Sequence, residues 1–266
     1  MQGRPIVNVV VCLKQILDPE ISPQEFRIDA AKKEAAQGNA SLVISPFDEN
    51  ALEVALQIRD RAGGGKVTAI SIGGASAVMA LRKALAVKAD EAVHIATEQR
   101  VDSFSAARIL SAALNRLSFD LVICGRQAGD WDFGIVGSLL AEALGVPCVP
   151  FVMEAEEMGD AIKARQQTID GYAIVKAPLP AVLTVTNAST NVLRYPKVRD
   201  MMLADRKEIA VWDVSALVDG KVPESPIEIK SLYIPMHEVE CEMLEGDSAA
   251  QKAVRLAQRM RELKLV

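Results

Sequence analysis

The chain has 266 residues, a formal net charge of −5 at pH 7, 50% hydrophobic residues and only 4% aromatic ones. That length holds one large domain with an appendage, or two small domains. The acidic balance argues against a bulk nucleic-acid binder, and no apolar run approaches the roughly 20 residues of a membrane span.

In chain order, PIVNVVVCL (5–13) is a near-continuous β-branched run, the pattern of a parallel strand buried on both faces. A polar loop through LDPEISPQEFRIDAAKKEAAQGNA follows. SPFDENALEVALQIRDRAG opens a helix, with Asp48 as N-cap, Leu52, Ala55, Leu56 and Arg59 at helical spacing, and glycines 63–65 as its end. KVTAISIGG is a second strand, ASAVMALRKALAVKA a second helix, EAVHIA a third strand, and DSFSAARILSAALNRL a third helix capped by Asp102 or Ser103. FDLVICG is a fourth strand and FGIVGSLLAEALG, from Phe133 to Gly145, a fourth helix. This alternation predicts an α/β fold: an open, mostly parallel twisted sheet with helices on both faces.

Beyond Pro147 the segments VPCVPFVMEAEEM, AIKARQQTID, GYAIVKAP and PAVLTVTNA read as strands, with a hairpin at IDGYA, so an antiparallel extension is expected. The division expected is 1–190 as an α/β domain and 191–266 as a loop and extended arm. In the second part PKVRDMMLADRKEIAVWDVSAL holds one short helix, and residues 216–240 carry three prolines without periodicity. DSAAQKAVRLAQRMREL forms a terminal helix capped by Asp247, with Ala253, Leu256, Met260 and Leu263 in a stripe. Such an arm either reaches for another surface or packs back on its own domain.

The four cysteines, Cys12, Cys124, Cys148 and Cys241, form no C-x-x-C pair and imply a reducing compartment. The opening MQGRPIVNVVVCLKQ is broken by Asn8 and lacks a small-residue cleavage site, so a cytoplasmic protein is expected. With only His94 and His237, a histidine-based metal site is not expected. No nucleophile–base pair is evident, and Cys124 reads as core packing.

In an open parallel sheet, ligands bind at the carboxyl ends of strands where the strand order reverses. Four segments qualify: Cys12–Gln15, Ser45–Asp48, Ile72–Ser76 and Gly125–Ser138. The last is richest. A helix beginning near Phe133 offers free backbone N–H groups to a phosphate, and Gly134 and Gly137 allow close approach. Asp130 and Asp132 suit ribose hydroxyls or helix caps, and Gln127 a bridge to the ligand. The alternative is an empty loop with two capping aspartates. Arg126 is either a cation for a phosphate or reduced flavin, or a solvated side chain; Lys14 either pairs with Asp18 or approaches a flavin. SIGGAS matches neither G-x-x-x-x-G-K-[ST] nor G-x-G-x-x-G, so Gly73 and Gly74 either receive an adenine or ribose or simply make a tight turn.

Several linked motifs resemble the beta subunit of electron transfer flavoproteins: VCLKQILDP, SPFDENALEVAL, VTAISIGGASAVMALRKALAVKADEAVHI, DLVICGRQAGDWDFGIVGSLLAEALGVP and LPAVLTVTNASTNVLRYP. The resemblance runs in order over about residues 5–210, and the arm agrees only in position and character. It implies an adenine-nucleotide-binding Rossmann-like fold and a heterodimer with an alpha subunit. It also implies a carrier, not an enzyme on its own, that moves electrons from flavin dehydrogenases to an acceptor or quinone reductase. FAD belongs to the assembled complex; this subunit would hold AMP, or a second FAD as in electron-bifurcating members.

Carried over by position, the cofactor site is Cys12, Ser45, Pro46, Phe47, Asp48 and Ile72. To these the last loop adds Arg126, Gln127, Ala128, Gly129, Asp130, Trp131, Asp132, Phe133, Gly134, Ile135, Val136, Gly137 and Ser138. Residues 191–207, recognisable by RYP, would meet the dehydrogenase. Ile135 stands where Gln is frequent, Trp131 is large for its place, and LADRKE replaces a Lys-rich tail, which points to a different dehydrogenase. Two other readings remain: a stand-alone module of the universal-stress type, which lacks such an arm, and an ATP-using enzyme, which needs a loop not found here.

Overall fold

The computed structural model describes residues 7–218, 220, 223–235 and 241–266. The first two residues of the expected strand 5–13, the chain's opening, His237 and the end of the irregular stretch 216–240 therefore lie outside the described residues.

The chain forms β1 (Val7–Cys12), β2 (Gln15–Leu17), β3 (Arg27–Asp29), β4 (Glu34–Ala36), β5 (Leu42–Ile44), α1 (Pro46–Ala62) and β6 (Gly65–Gly73). Then come α2 (Val78–Ala86), β7 (Glu91–Ala96), α3 (Ser103–Leu114), β8 (Leu121–Gly125), α4 (Val136–Leu144) and β9 (Cys148–Glu157). The hairpin β10 (Ala161–Thr168) and β11 (Gly171–Pro178) precedes β12 (Ala181–Val185), α5 (Val198–Arg206), β13 (Ala210–Asp213) and α6 (Ala249–Glu262).

Nine strands make one sheet in the order β11-β10-β9-β12-β8-β1-β6-β7-β13. Within this sheet only β9 with β10 and β10 with β11 pair antiparallel, so the expected extension is one hairpin added to the edge of β9. β9 and β12 instead join the parallel part, β12 lying between β9 and β8. The unbroken apolar run of β1 follows from this layering. Val7, Val9 and Val11 pack with α1 and α2, while Val10 and Cys12 pack with α3 and α4.

The structure also differs from the expected elements elsewhere. The polar stretch after β1 holds two small sheets, β2 with β5 and β3 with β4. Each strand is three residues long, too short to show a period. β13 adds to the sheet beside β7; as a largely exposed edge it carries no core pattern. Asp48 does not cap α1: Pro46 starts the helix, Ser45 holds the cap position without a side-chain bond, and Asp48 turns inward. In α6 the cap is Ser248, not Asp247. Its side chain accepts from the Gln251 N–H, and the Gln251 amide oxygen accepts from the Asp247 N–H at 2.9 Å.

No residue of α6 is buried, so its stripe does not pack on this domain. Residues 191–207 are anchored at both ends: Arg82 donates to the Ala204 carbonyl at 2.6 Å and Lys207 Nζ to the Ala89 and Asp90 carbonyls at 3.2 and 3.1 Å. Arg194 donates to both Glu53 carboxylate oxygens, at 2.9 and 3.0 Å, and to Asp60 at 2.8 Å. Asn191, almost fully buried, donates to the Thr186 and Met153 carbonyls. Tyr195, Val198 and Met202 are left facing water. Among the described residues, no helix is long and apolar enough to cross a membrane, and no three His, Cys, Asp or Glu side chains cluster to hold a metal.

Candidate functional site

The strand order reverses at β1. β6 and β7 follow on one side and the chain then returns to place β8 on the other. A cavity of about 310 Å³ opens there, at the carboxyl ends of β1 and β8, roofed by the loop into α4 and flanked by the start of α3.

Asp48 joins the two strand ends. One carboxylate oxygen accepts the Lys14 N–H at 2.7 Å and the other the Gly125 N–H at 3.0 Å. Gly125 is required by space: a Cβ there would lie 2.4 Å from Asp48 Oδ1 and 2.7 Å from the Phe47 carbonyl carbon. Burial pushes the Asp48 carboxyl up to about 7, against the pull of the two backbone N–H groups. With the folded value above the ordinary 3.8, the native state holds a proton that the unfolded chain has released. Stability should therefore fall as pH rises from about 4 to about 7, by up to about 1.4 kcal/mol per pH unit. Urea denaturation at pH 4.5, 6 and 7.5 should show this slope in the wild type and lose it in Asp48→Asn; parallel curves for the two proteins would contradict the assignment.

The loop after β8 is folded on itself. The Asp130 carboxylate pairs with Lys14 Nζ at 2.7 Å, so Lys14 does not pair with Asp18. Asp132 accepts the Gln127 amide at 2.6 Å. Neither aspartate caps α4, whose cap position is Ile135 with no side-chain bond. With Asp132 at φ +53° and Gly134 at φ +64°, the chain cannot yet be helical. The helix expected from Phe133 thus begins at Val136, and its unpaired N–H groups sit three residues later than expected.

Of the expected residues, Cys12, Asp48, Ile72, Arg126, Gln127, Ala128, Trp131, Phe133, Gly134, Ile135 and Val136 line the cavity. The others stand behind it. Ser45 Oγ accepts the Gly129 N–H at 3.2 Å, Pro46 starts α1, and Phe47 lies 4.6 Å under the Arg126 guanidinium. Gly137 faces the sheet instead of the cavity, where a Cβ would meet Thr184 Cγ2 at 2.4 Å. Ser138 bonds the Cys148 thiol, which burial nonetheless pushes up. Gly73 and Gly74 make the turn into α2, outside the lining.

Arg126 is half-buried and donates to Gln127 Oε1 at 3.0 Å and Thr186 Oγ1 at 3.3 Å. Arg100 stacks 5.0 Å over Trp131 and reaches the Lys33 carbonyl. Both line the cavity, and among the described residues neither is in an ion pair. Contact with the Cys12 thiol and burial hold the Cys124 thiol well above its ordinary value, so it stays protonated.

Sequence reasoning missed the start of α3, with Arg100, Val101 and Ala106, and the arm residues Ser225, Ile227 and Ile229. The loop after β7 is also a strand end but is not among the four segments singled out, and nothing local in the arm marks it.

The model of the electron transfer flavoprotein domain matches residues 35–217. The electron transfer flavoprotein subunit beta of Thermoanaerobacterium thermosaccharolyticum is 35% identical over 249 residues, 91% of this chain and 93% of that protein. The protein of the same name from Clostridium acetobutylicum is 39% identical over 209 residues, 77% of this chain and 78% of its own. Subunit CarD of the caffeyl-CoA reductase-Etf complex of Acetobacterium woodii is 29% identical over 269 residues, 98% of this chain and all of that protein.

Proposed function

The chain belongs to the electron transfer flavoprotein beta-subunit family, and from that premise we propose that it is one half of a heterodimeric electron carrier that holds an adenine nucleotide at the switch-point cavity. The observation that carries this reading is the cavity's chemistry. Ile70, Ile72, Val101 and Val136 form apolar walls for a planar base. The uncapped N–H groups of α4 and the guanidiniums of Arg100 and Arg126, neither in an ion pair among the described residues, suit a phosphate. Lys14 and Gln127 neutralise or occupy the two loop carboxylates that would otherwise repel it.

The cavity, about 310 Å³, lies at the small end of the roughly 300–1,000 Å³ common for ligand sites. That favours AMP over a second FAD. The redox chemistry belongs to a flavin, which accepts and returns electrons when bound in the assembled complex. This chain's part is to fix the nucleotide and to present two contact surfaces. The exposed apolar residues of 191–207, Tyr195 and Met202 among them, suit a flavin-dependent dehydrogenase. The arm with α6 suits the alpha subunit. A helix with no buried residue is a poor fit to a stand-alone module.

Co-expression with the alpha subunit tests the reading. The two chains should purify in equal amounts with flavin absorbance, and this chain alone should be colourless. A chain that stays monomeric beside its alpha subunit would contradict it.

A further inference from the structure

One wall of the cavity comes from the arm. We infer that Asp102, Ser105 and Lys33 tether residues 223–229 there as a removable wall, which swings aside when a nucleotide enters or leaves. The inference rests on the nucleotide reading above for its ligand but not for its mechanics.

Ser225, Ile227 and Ile229 line the cavity together with the ends of β1 and β8. Their attachments to the domain run through side chains. Ser225 Oγ donates to Asp102 Oδ2 at 2.6 Å, Ser105 Oγ donates to the Pro223 carbonyl at 2.8 Å, and Lys33 Nζ donates to the Ile229 carbonyl at 2.8 Å. Among the described residues, no backbone–backbone hydrogen bond joins 223–235 to the sheet. A segment held through side chains near water, with no backbone ladder to the sheet, opens at a small fraction of the cost of unfolding the sheet behind it.

Asp102 has two duties. Its Oδ1 accepts the Ser105 N–H at 2.8 Å and caps α3, while its Oδ2 takes the arm. Lys33 lies at φ +55° in the turn between β3 and β4, so the same residue whose carbonyl meets Arg100 also holds the arm. The small hairpin, the leading end of α3 and the arm thus meet around one side of the cavity, and the loop of β8 closes the other.

The strand-end thiol of Cys12 reports on the wall directly, because it is almost buried and lines the cavity, whereas Cys241 is exposed and serves as an internal reference. N-ethylmaleimide labelling of the full chain, followed by peptide mass mapping, should show Cys12 modified about tenfold faster in Ser225→Ala, which removes the arm's hydrogen bond to the charged Asp102 along with the local Ser225–Ile227 bonds. Cys241 should be unchanged, and Ser225→Thr should restore the slow rate. Lys33→Ala, which releases Ile229, should accelerate Cys12 independently. Saturating AMP should slow Cys12 in the wild type. An unchanged Cys12 rate in both variants would overturn the wall, whatever AMP does. Faster labelling in the variants, with no protection by AMP in the wild type, would support the wall and sink the nucleotide reading instead.

Discussion

Replacing Gly125 with Ala should lower the melting temperature by roughly 5–15 °C, from about 2–5 kcal/mol of lost stability. The new methyl would press on Asp48 Oδ1, the Phe47 carbonyl carbon and the Asp48 nitrogen, at 2.4, 2.7 and 2.8 Å. Two of these three are backbone atoms of the first turn of α1, so no side-chain rotation relieves the clash. The helix must move off β8 and take Asp48 with it. The Lys14 and Gly125 N–H groups then lose their shared acceptor in a buried place. Gly129→Ala is the comparison, since its Cβ would meet only the Ile16 Cδ1 tip and the Pro46 ring Cδ, at the milder distances of 3.2 and 3.3 Å. Thermal unfolding followed by circular dichroism checks both. Equal melting temperatures for Gly125→Ala and wild type would contradict the account.

Gly137→Val should empty the proposed nucleotide site while leaving a folded protein, through a different route. Gly137 is buried against Thr184 of β12, whose hydroxyl accepts the Phe151 N–H at 3.2 Å. A Cβ 2.4 Å from Thr184 Cγ2 cannot be absorbed by a flexible tip, because that methyl is fixed to the branched Cβ of a buried threonine. The first turn of α4 lifts, at a cost of about 1–3 kcal/mol. Its unpaired N–H groups leave the position in which they face the cavity. Adenylate bound by the purified variant, measured after acid release, should fall at least about tenfold for a misplacement worth about 1.4 kcal/mol. Full adenylate content in a folded Gly137→Val protein would remove the end of α4 from the site.

Much of this arrangement was legible because it is local. β1 is apolar on both faces, Leu52, Ala55 and Leu56 recur at helical spacing along α1, and glycines lie where strands turn into loops. The rule that ligands gather at strand ends then pointed to the loops after β1 and β8. Asp48 was misread as a cap because its inward turn depends on the end of β8 coming within reach 77 residues later, a contact that only the missing side chain of Gly125 permits. β13 was missed because an exposed edge strand has no apolar alternation to reveal it. Arg100 and Ser225 were missed for a related reason: each lines the cavity, but only the crossing of β7, α3 and the arm in space brings them there.

We propose that this chain carries an adenine nucleotide of its own. Denaturing the purified heterodimer and separating the released cofactors measures it most directly. One FAD and one AMP per heterodimer is the predicted result; two FAD would keep the claim and refute the size argument. A single FAD with no second adenine compound would contradict the account.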